Sequence, residues 1–131
     1  MALRGVRGAT TVQGNNGQSI LGATRALLEE MVSSNNVQVE DIASVFFTAT
    51  EDLDAEFPAK AARLLGWRHV PLLSAREIPV PGSLRHCVRV LLWWNTDRSQ
   101  REVVHVYQGE ARGLRPDLAG PDPVSHQEGE Q

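Results

Sequence analysis

The chain of 131 residues holds one cysteine, one lysine, one tyrosine and no apolar run near the ~18 residues a membrane span needs. A lone thiol, Cys87, excludes an intramolecular disulfide and fits a reducing compartment. Met1 to Thr11 carries no apolar stretch of the kind that makes a secretory leader, so the cytoplasm is the expected location. A net charge of −3 leaves no basic footprint for nucleic acid or anionic lipid. His69, His86, His105 and His126 show no metal-ligand spacing and no paired acid, and no segment has a phosphate-loop pattern. These absences lead us to expect no metal, no cofactor, no nucleic acid and no membrane among the partners. What is present is ordinary for one globular domain, with 41% hydrophobic and 22% charged residues. The exception is that 12 of its 13 cationic residues are arginine. Genome composition or heat adaptation accounts for such a bias. So would a need to grip carboxylates, which a planar fork does better than an ammonium.

Hydrophobic periodicity gives the order β, α, β, α, β, β, β. Leu3 to Val12 reads as a strand whose Gly5 and Gly8 mark a close approach of backbone or ligand. Asn15-Asn16-Gly17 turns into a helix over residues 18–34, with Ile20, Thr24, Leu27, Leu28, Met31 and Val32 on one stripe, ended by Asn35-Asn36. Residues 39–41 form a helical turn before a strand from Ile42 to Thr48. Phe57-Pro58 opens a second helix that Gly66 stops. Strands are expected at Val70 to Ser74, Cys87 to Trp94 and Val103 to Tyr107, with a stiff turn at Pro79-Val80-Pro81-Gly82. The fold class is therefore α+β: a mixed sheet of about five strands with two helices on one face. From Pro116 the chain is Pro, Gly and acidic residues with little to bury, so residues 1–118 are expected as the domain and 119–131 as a flexible tail.

Within Cys87-Val88-Arg89-Val90-Leu91-Leu92-Trp93-Trp94, alternation sends Cys87, Arg89, Leu91 and Trp93 to one side and Val88, Val90, Leu92 and Trp94 to the other. Both faces are largely apolar, and two helices cover only one, so the second is expected against another subunit. Arg89 lies in an apolar strand, where an unpaired guanidinium is costly. It is either a structural ion pair, a snorkelling edge residue or an anion ligand. Arg7, between Gly5 and Gly8, is similarly confined. Glu77 and Tyr107 follow or end strands and, taken singly, read as surface residues. Cys87 on its buried strand reads as core and not as a nucleophile.

Taken together, Arg4-Gly5-Val6-Arg7-Gly8-Ala9-Thr10-Thr11, Thr48-Ala49-Thr50-Glu51-Asp52-Leu53, Phe57-Pro58-Ala59-Lys60-Ala61, Gly66-Trp67, Val70-Pro71, Cys87-Val88-Arg89-Val90, His105-Val106-Tyr107 and Leu114-Arg115-Pro116-Asp117-Leu118 form a pattern. In order and spacing it resembles the monofunctional trimeric chorismate mutases of the Bacillus type. The resemblance implies a homotrimer of pseudo-α/β-barrel architecture, with active sites at subunit interfaces that isomerise chorismate to prephenate. It implies that Arg7 holds a substrate carboxylate, Arg89 the ether oxygen and a carboxylate, Glu77 the ring hydroxyl and Tyr107 a carboxylate. Phe57, Ala59, Lys60 and Arg63 would come from the neighbouring subunit. Leu72, Leu73 and Ser74 would form the strand beneath the substrate, Ala75 and Arg76 would be further substrate contacts, and Leu114 and Arg115 the start of a closing tail. The chain departs from the pattern by one residue fewer before Gly66-Trp67. Leu73 and Ser74 also stand where relatives can carry threonine and cysteine. A trimeric imine hydrolase with an interfacial arginine, and a non-catalytic module that senses an aromatic-pathway metabolite, are the alternative functions.

Overall fold

The computed structural model describes residues 1–114; the expected tail and Arg115 lie outside the described residues. Five strands and two α-helices follow in the expected order: β1 (Ala2–Thr11), α1 (Gly17–Asn35), β2 (Ile42–Ala49), α2 (Lys60–Leu64), β3 (Leu72–Arg76), β4 (Cys87–Thr96) and β5 (Val106–Tyr107). They make one mixed sheet in the order β3-β2-β4-β1-β5. The apolar β4 is central, antiparallel to β1 and β2, while β3 and β5 add in parallel at the two edges.

Helix α1 starts where Asn16, in extended backbone, accepts the Ser19 N–H on its side chain, and ends at Asn36 in the left-handed region. Its stripe of Ile20, Thr24, Leu27, Leu28 and Met31 is fully buried against Val6, Val45, Phe47, Val88, Val90 and Leu92 on one sheet face. Val32 is only half-buried, and Asn35 takes the last core position. Gly8 is explained by this packing, because a Cβ there would run into Met31 and Leu27. Burial of α1's large side chains contributes roughly 1.5–3 kcal/mol each before chain entropy is counted.

Apart from shifts of one or two residues at the ends of β1, α1, β2 and β4, three elements differ from the sequence expectation. The second helix begins at Lys60 and not at Phe57: the preceding turn closes i→i+3 bonds, from Lys60 N–H to the Phe57 carbonyl and from Ala61 N–H to the Pro58 carbonyl. β3 runs over Leu72–Arg76 instead of Val70–Ser74, because Pro71 ends the approach by giving its carbonyl to the Val45 N–H, and pairing then continues to Ala49 opposite Arg76. β5 keeps only Val106–Tyr107 of the expected Val103–Tyr107. At Val104 the Asn35 side chain replaces the ladder, its Oδ1 accepting the Val104 N–H and its Nδ2 donating to the Val104 carbonyl, both at 2.8 Å.

The sheet face away from the helices follows the alternation read from β4. Trp94 is buried while Trp93 is 44% exposed, beside Leu3, Phe46 and Leu73, which are exposed as well.

Candidate active site

Register assembles the site on that uncovered face. Thr48 of β2 stands opposite Arg89 of β4, which stands opposite Ala9 of β1, which stands beside Tyr107 of β5. Side chains opposite one another share a face, so one row crosses four strands. Phe46, Leu91 and Arg7 form the next row. Glu77 follows β3, fixed by its N–H to the Ala49 carbonyl at 2.9 Å.

Arg7, Glu77 and Arg89 consequently line one open cavity of about 280 Å³ with Phe46, Thr48, Val90 and Leu91. Arg89 Nε lies 3.6 Å from Glu77 Oε2, and both side chains are mostly covered, at 19% and 24% exposure. Thr48 Oγ1 donates to the same Glu77 oxygen at 2.5 Å. Glu77 thus holds Arg89 from one side and is itself aimed by Thr48. Thr48 opens the Thr48–Leu53 segment of the family pattern, which gives it no role of its own. Only the β2–β4 register gives it a role, so no local signal could have found it.

Tyr107 does not line this cavity. It is 3% exposed in a small cluster with Ala9 and Ala111, against which Leu84 and Leu114 pack. Its buried hydroxyl has no hydrogen-bond partner among the described residues. A buried hydroxyl in that state is costly, which suits a group reserved for a polar ligand.

The remaining expected substrate contacts fall elsewhere. Phe57, Ser74, Ala75 and Arg76 line a second cavity, of about 360 Å³, with residues 49–50 and 53–58. Phe57 and Leu73 are about two-thirds exposed, Leu72 is half-buried, and Ala59 is buried in the main core. Lys60 Nζ is 3.3 Å from Glu56 Oε1, and the exposed Arg63 lies in the last turn of α2. Within one chain, the Phe57–Arg63 group and the Arg7–Glu77–Arg89 group do not meet in one cavity.

The loop into β4 is held by Asp52. This corrects the expectation that no histidine is paired with an acid, since His86 Nε2 lies 3.8 Å from Asp52 Oδ2. Asp52 also accepts the His86 backbone N–H at 3.2 Å and the Thr50 hydroxyl, with Arg85 Nε at 3.3 Å. Burial raises the Asp52 carboxyl's pKa, but these hydrogen bonds and the nearby His86 outweigh it and hold the group below the usual carboxylate range. His86 sits at φ 50°, a left-handed conformation, and its anchorage to Asp52 and Val12 keeps it there. Cys87 next to it is fully buried, and desolvation pushes its thiol up although the Arg89 charge pulls the other way. A thiol kept protonated is a poor nucleophile, as expected for a core residue.

The arrangement offers two guanidinium groups and a carboxylate on the central sheet, charges able to hold a small anionic molecule. Comparison with known proteins identifies the family. Residues 3–118 match the family model "Chorismate mutase type I". The chain is 56% identical over 117 residues to the chorismate mutase AroH of Thermus thermophilus, covering 88% of this chain and 96% of that protein. It is 43% identical over 120 residues to the chorismate mutase AroH of Bacillus subtilis (strain 168), covering 91% and 94%. A solved chorismate mutase from Clostridium thermocellum superposes with a TM-score of 0.81 at 46% identity, over 82% of this chain and 96% of that one. With the sequence pattern, the fold and these relatives in agreement, the chain belongs to the type I chorismate mutase family.

Proposed function

We propose that the cavity of Arg7, Glu77 and Arg89 is where this chorismate mutase rearranges chorismate to prephenate. Family membership favours rearrangement over imine hydrolysis and catalysis over metabolite sensing. The reaction breaks one C–O bond as one C–C bond forms within a single molecule, so it needs no nucleophile and no proton shuttle. It needs the substrate folded into a reactive chair and stabilisation of negative charge growing on the ether oxygen. Positioning supplies on the order of 7–11 kcal/mol in the best intramolecular cases. A preorganised donor at the developing oxyanion adds roughly 3–4 kcal/mol. Together these cover the ~8 kcal/mol of a millionfold acceleration.

The observation that carries the assignment is Arg89, mostly covered, permanently charged and braced by Glu77 and through it by Thr48. In this reading Arg89 meets the ether oxygen and a carboxylate, Arg7 a carboxylate, and Glu77 the ring hydroxyl. The buried Tyr107 hydroxyl waits for a carboxylate. Loss of chorismate absorbance on adding the purified protein tests the activity directly. Glu77→Gln is expected to lower kcat/KM only about tenfold, because a neutral amide still meets a hydroxyl and still accepts from Thr48. The wild-type kcat should be flat from pH 6 to 8, and a bell centred near neutrality would contradict a reaction without acid–base catalysis.

The reading includes a homotrimer whose interfaces complete the sites. Two features support it. The uncovered sheet face exposes Leu3, Phe46, Leu73 and Trp93 around the cavity, and Phe57, Lys60 and Arg63 lie outside the cavity of their own chain. Light scattering is expected to return three times the 14.4 kDa chain mass. A monomer that is fully active would overturn the interfacial site. A cytoplasmic location rests on the lone thiol.

A further inference from the structure

We propose that His105 is a positioning residue for this reaction: its imidazole, accepting the Arg7 backbone N–H, sets the point from which Arg7 grips the substrate. The inference rests on the reading above that Arg7 holds a substrate carboxylate. β5 pairs with β1 only at Gly8 opposite Val106 and Ala9 opposite Tyr107. Arg7 lies one residue beyond that short ladder, and its N–H donates to His105 Nδ1 at 2.9 Å. A side chain 98 residues away therefore does for Arg7 what a longer β5 would have done with a carbonyl. Acceptance at Nδ1 requires a lone pair there, so a neutral ring carries its hydrogen on Nε2.

The backbone just before the ring is held from behind. Val104, next in the chain, has both its N–H and its carbonyl bound by Asn35 at the end of α1. Asn35 is completely buried and donates in addition to the Met31 carbonyl at 2.9 Å. The path thus runs from a core helix through Val104 and His105 to the backbone of an arginine that lines the cavity. Displacing that backbone carries the guanidinium with it, and errors near 1 Å in a positioning group are costly. Because Arg7 would hold a carboxylate equally in ground and transition states, its misplacement appears in KM more than in kcat.

The test is a set of variants read by steady-state kinetics. His105→Phe is expected to raise KM for chorismate about tenfold while kcat changes about twofold or less. His105→Asn, whose amide oxygen can accept the same N–H, should return KM to within about twofold of wild type. In an Arg7→Ala background, His105→Phe should add no further loss, since its effect passes through Arg7. An unchanged KM in His105→Phe, with Arg7→Ala raising KM, overturns the role of His105. An unchanged KM in Arg7→Ala overturns the reading of Arg7 instead. Should His105→Phe fail to fold, nitrogen-15 NMR of the wild-type ring decides. An unprotonated Nδ1 coupled to the Arg7 amide upholds the contact, and a protonated Nδ1 refutes it.

Discussion

Arg89→Ala is expected to lower kcat by about 10³-fold or more while the protein keeps its fold and its oligomeric state. That loss corresponds to about 4 kcal/mol of transition-state stabilisation. The size follows from three properties of the site. The guanidinium is a planar, delocalised fork, it is mostly covered, and Glu77 holds it at 3.6 Å, so that in the proposed reaction it need not reorganise as the ether oxygen turns negative. Arg89→Lys should recover only part of the rate, because an ammonium keeps the charge but not the fork. Single-turnover measurement of chorismate consumption, with circular dichroism and light scattering as controls, checks the result. A folded Arg89→Ala enzyme within about tenfold of wild type would remove Arg89 from the chemistry.

The largest effect on stability is expected at Asn35. Its side chain makes three hydrogen bonds, one to the Met31 carbonyl and one to each polar group of the Val104 backbone. Asn35→Leu keeps the branched heavy-atom skeleton, opens no cavity and removes all three, so a cost of about 2–3 kcal/mol reports lost hydrogen bonding without cavity formation. For a domain of this size that is a fall in Tm of about 10 °C. Asn35→Ala should cost about a further 1 kcal/mol, because it also opens a cavity beneath α1. Thermal unfolding of the two variants makes the comparison. An Asn35→Leu protein as stable as wild type would show that water replaces these bonds without penalty, and that β5 needs no anchor in α1.

The two predictions meet the sequence reading at different depths. Arg89 was conspicuous beforehand, because a charge inside Cys87–Trp94 contradicts the apolar pattern around it. Asn35 was not, since it read as the polar residue that ends a helix. Its burial depends on a backbone segment arriving 69 residues later. The same holds for the shortened β5: Val103 to Tyr107 has strand composition, and nothing local says that two side chains will take over its ladder. Thr48 and His105 likewise acquire roles only from partners 29 and 98 residues away.

From the amino-acid order alone came the properties governed by local geometry. These are the α1 stripe, the two faces of β4, the succession of elements, and the anomaly of arginine among aliphatic neighbours. Each reflects the fixed period of side chains along a helix or strand. The tertiary structure decided what that period cannot reach. Cross-strand register put Thr48, Arg89, Ala9 and Tyr107 in one row and brought Glu77 to Arg89, and side-chain bonds to distant backbone trimmed the edge strand. Register and such bonds depend on how whole elements dock, so their information is spread over the chain and belongs to no single stretch of it.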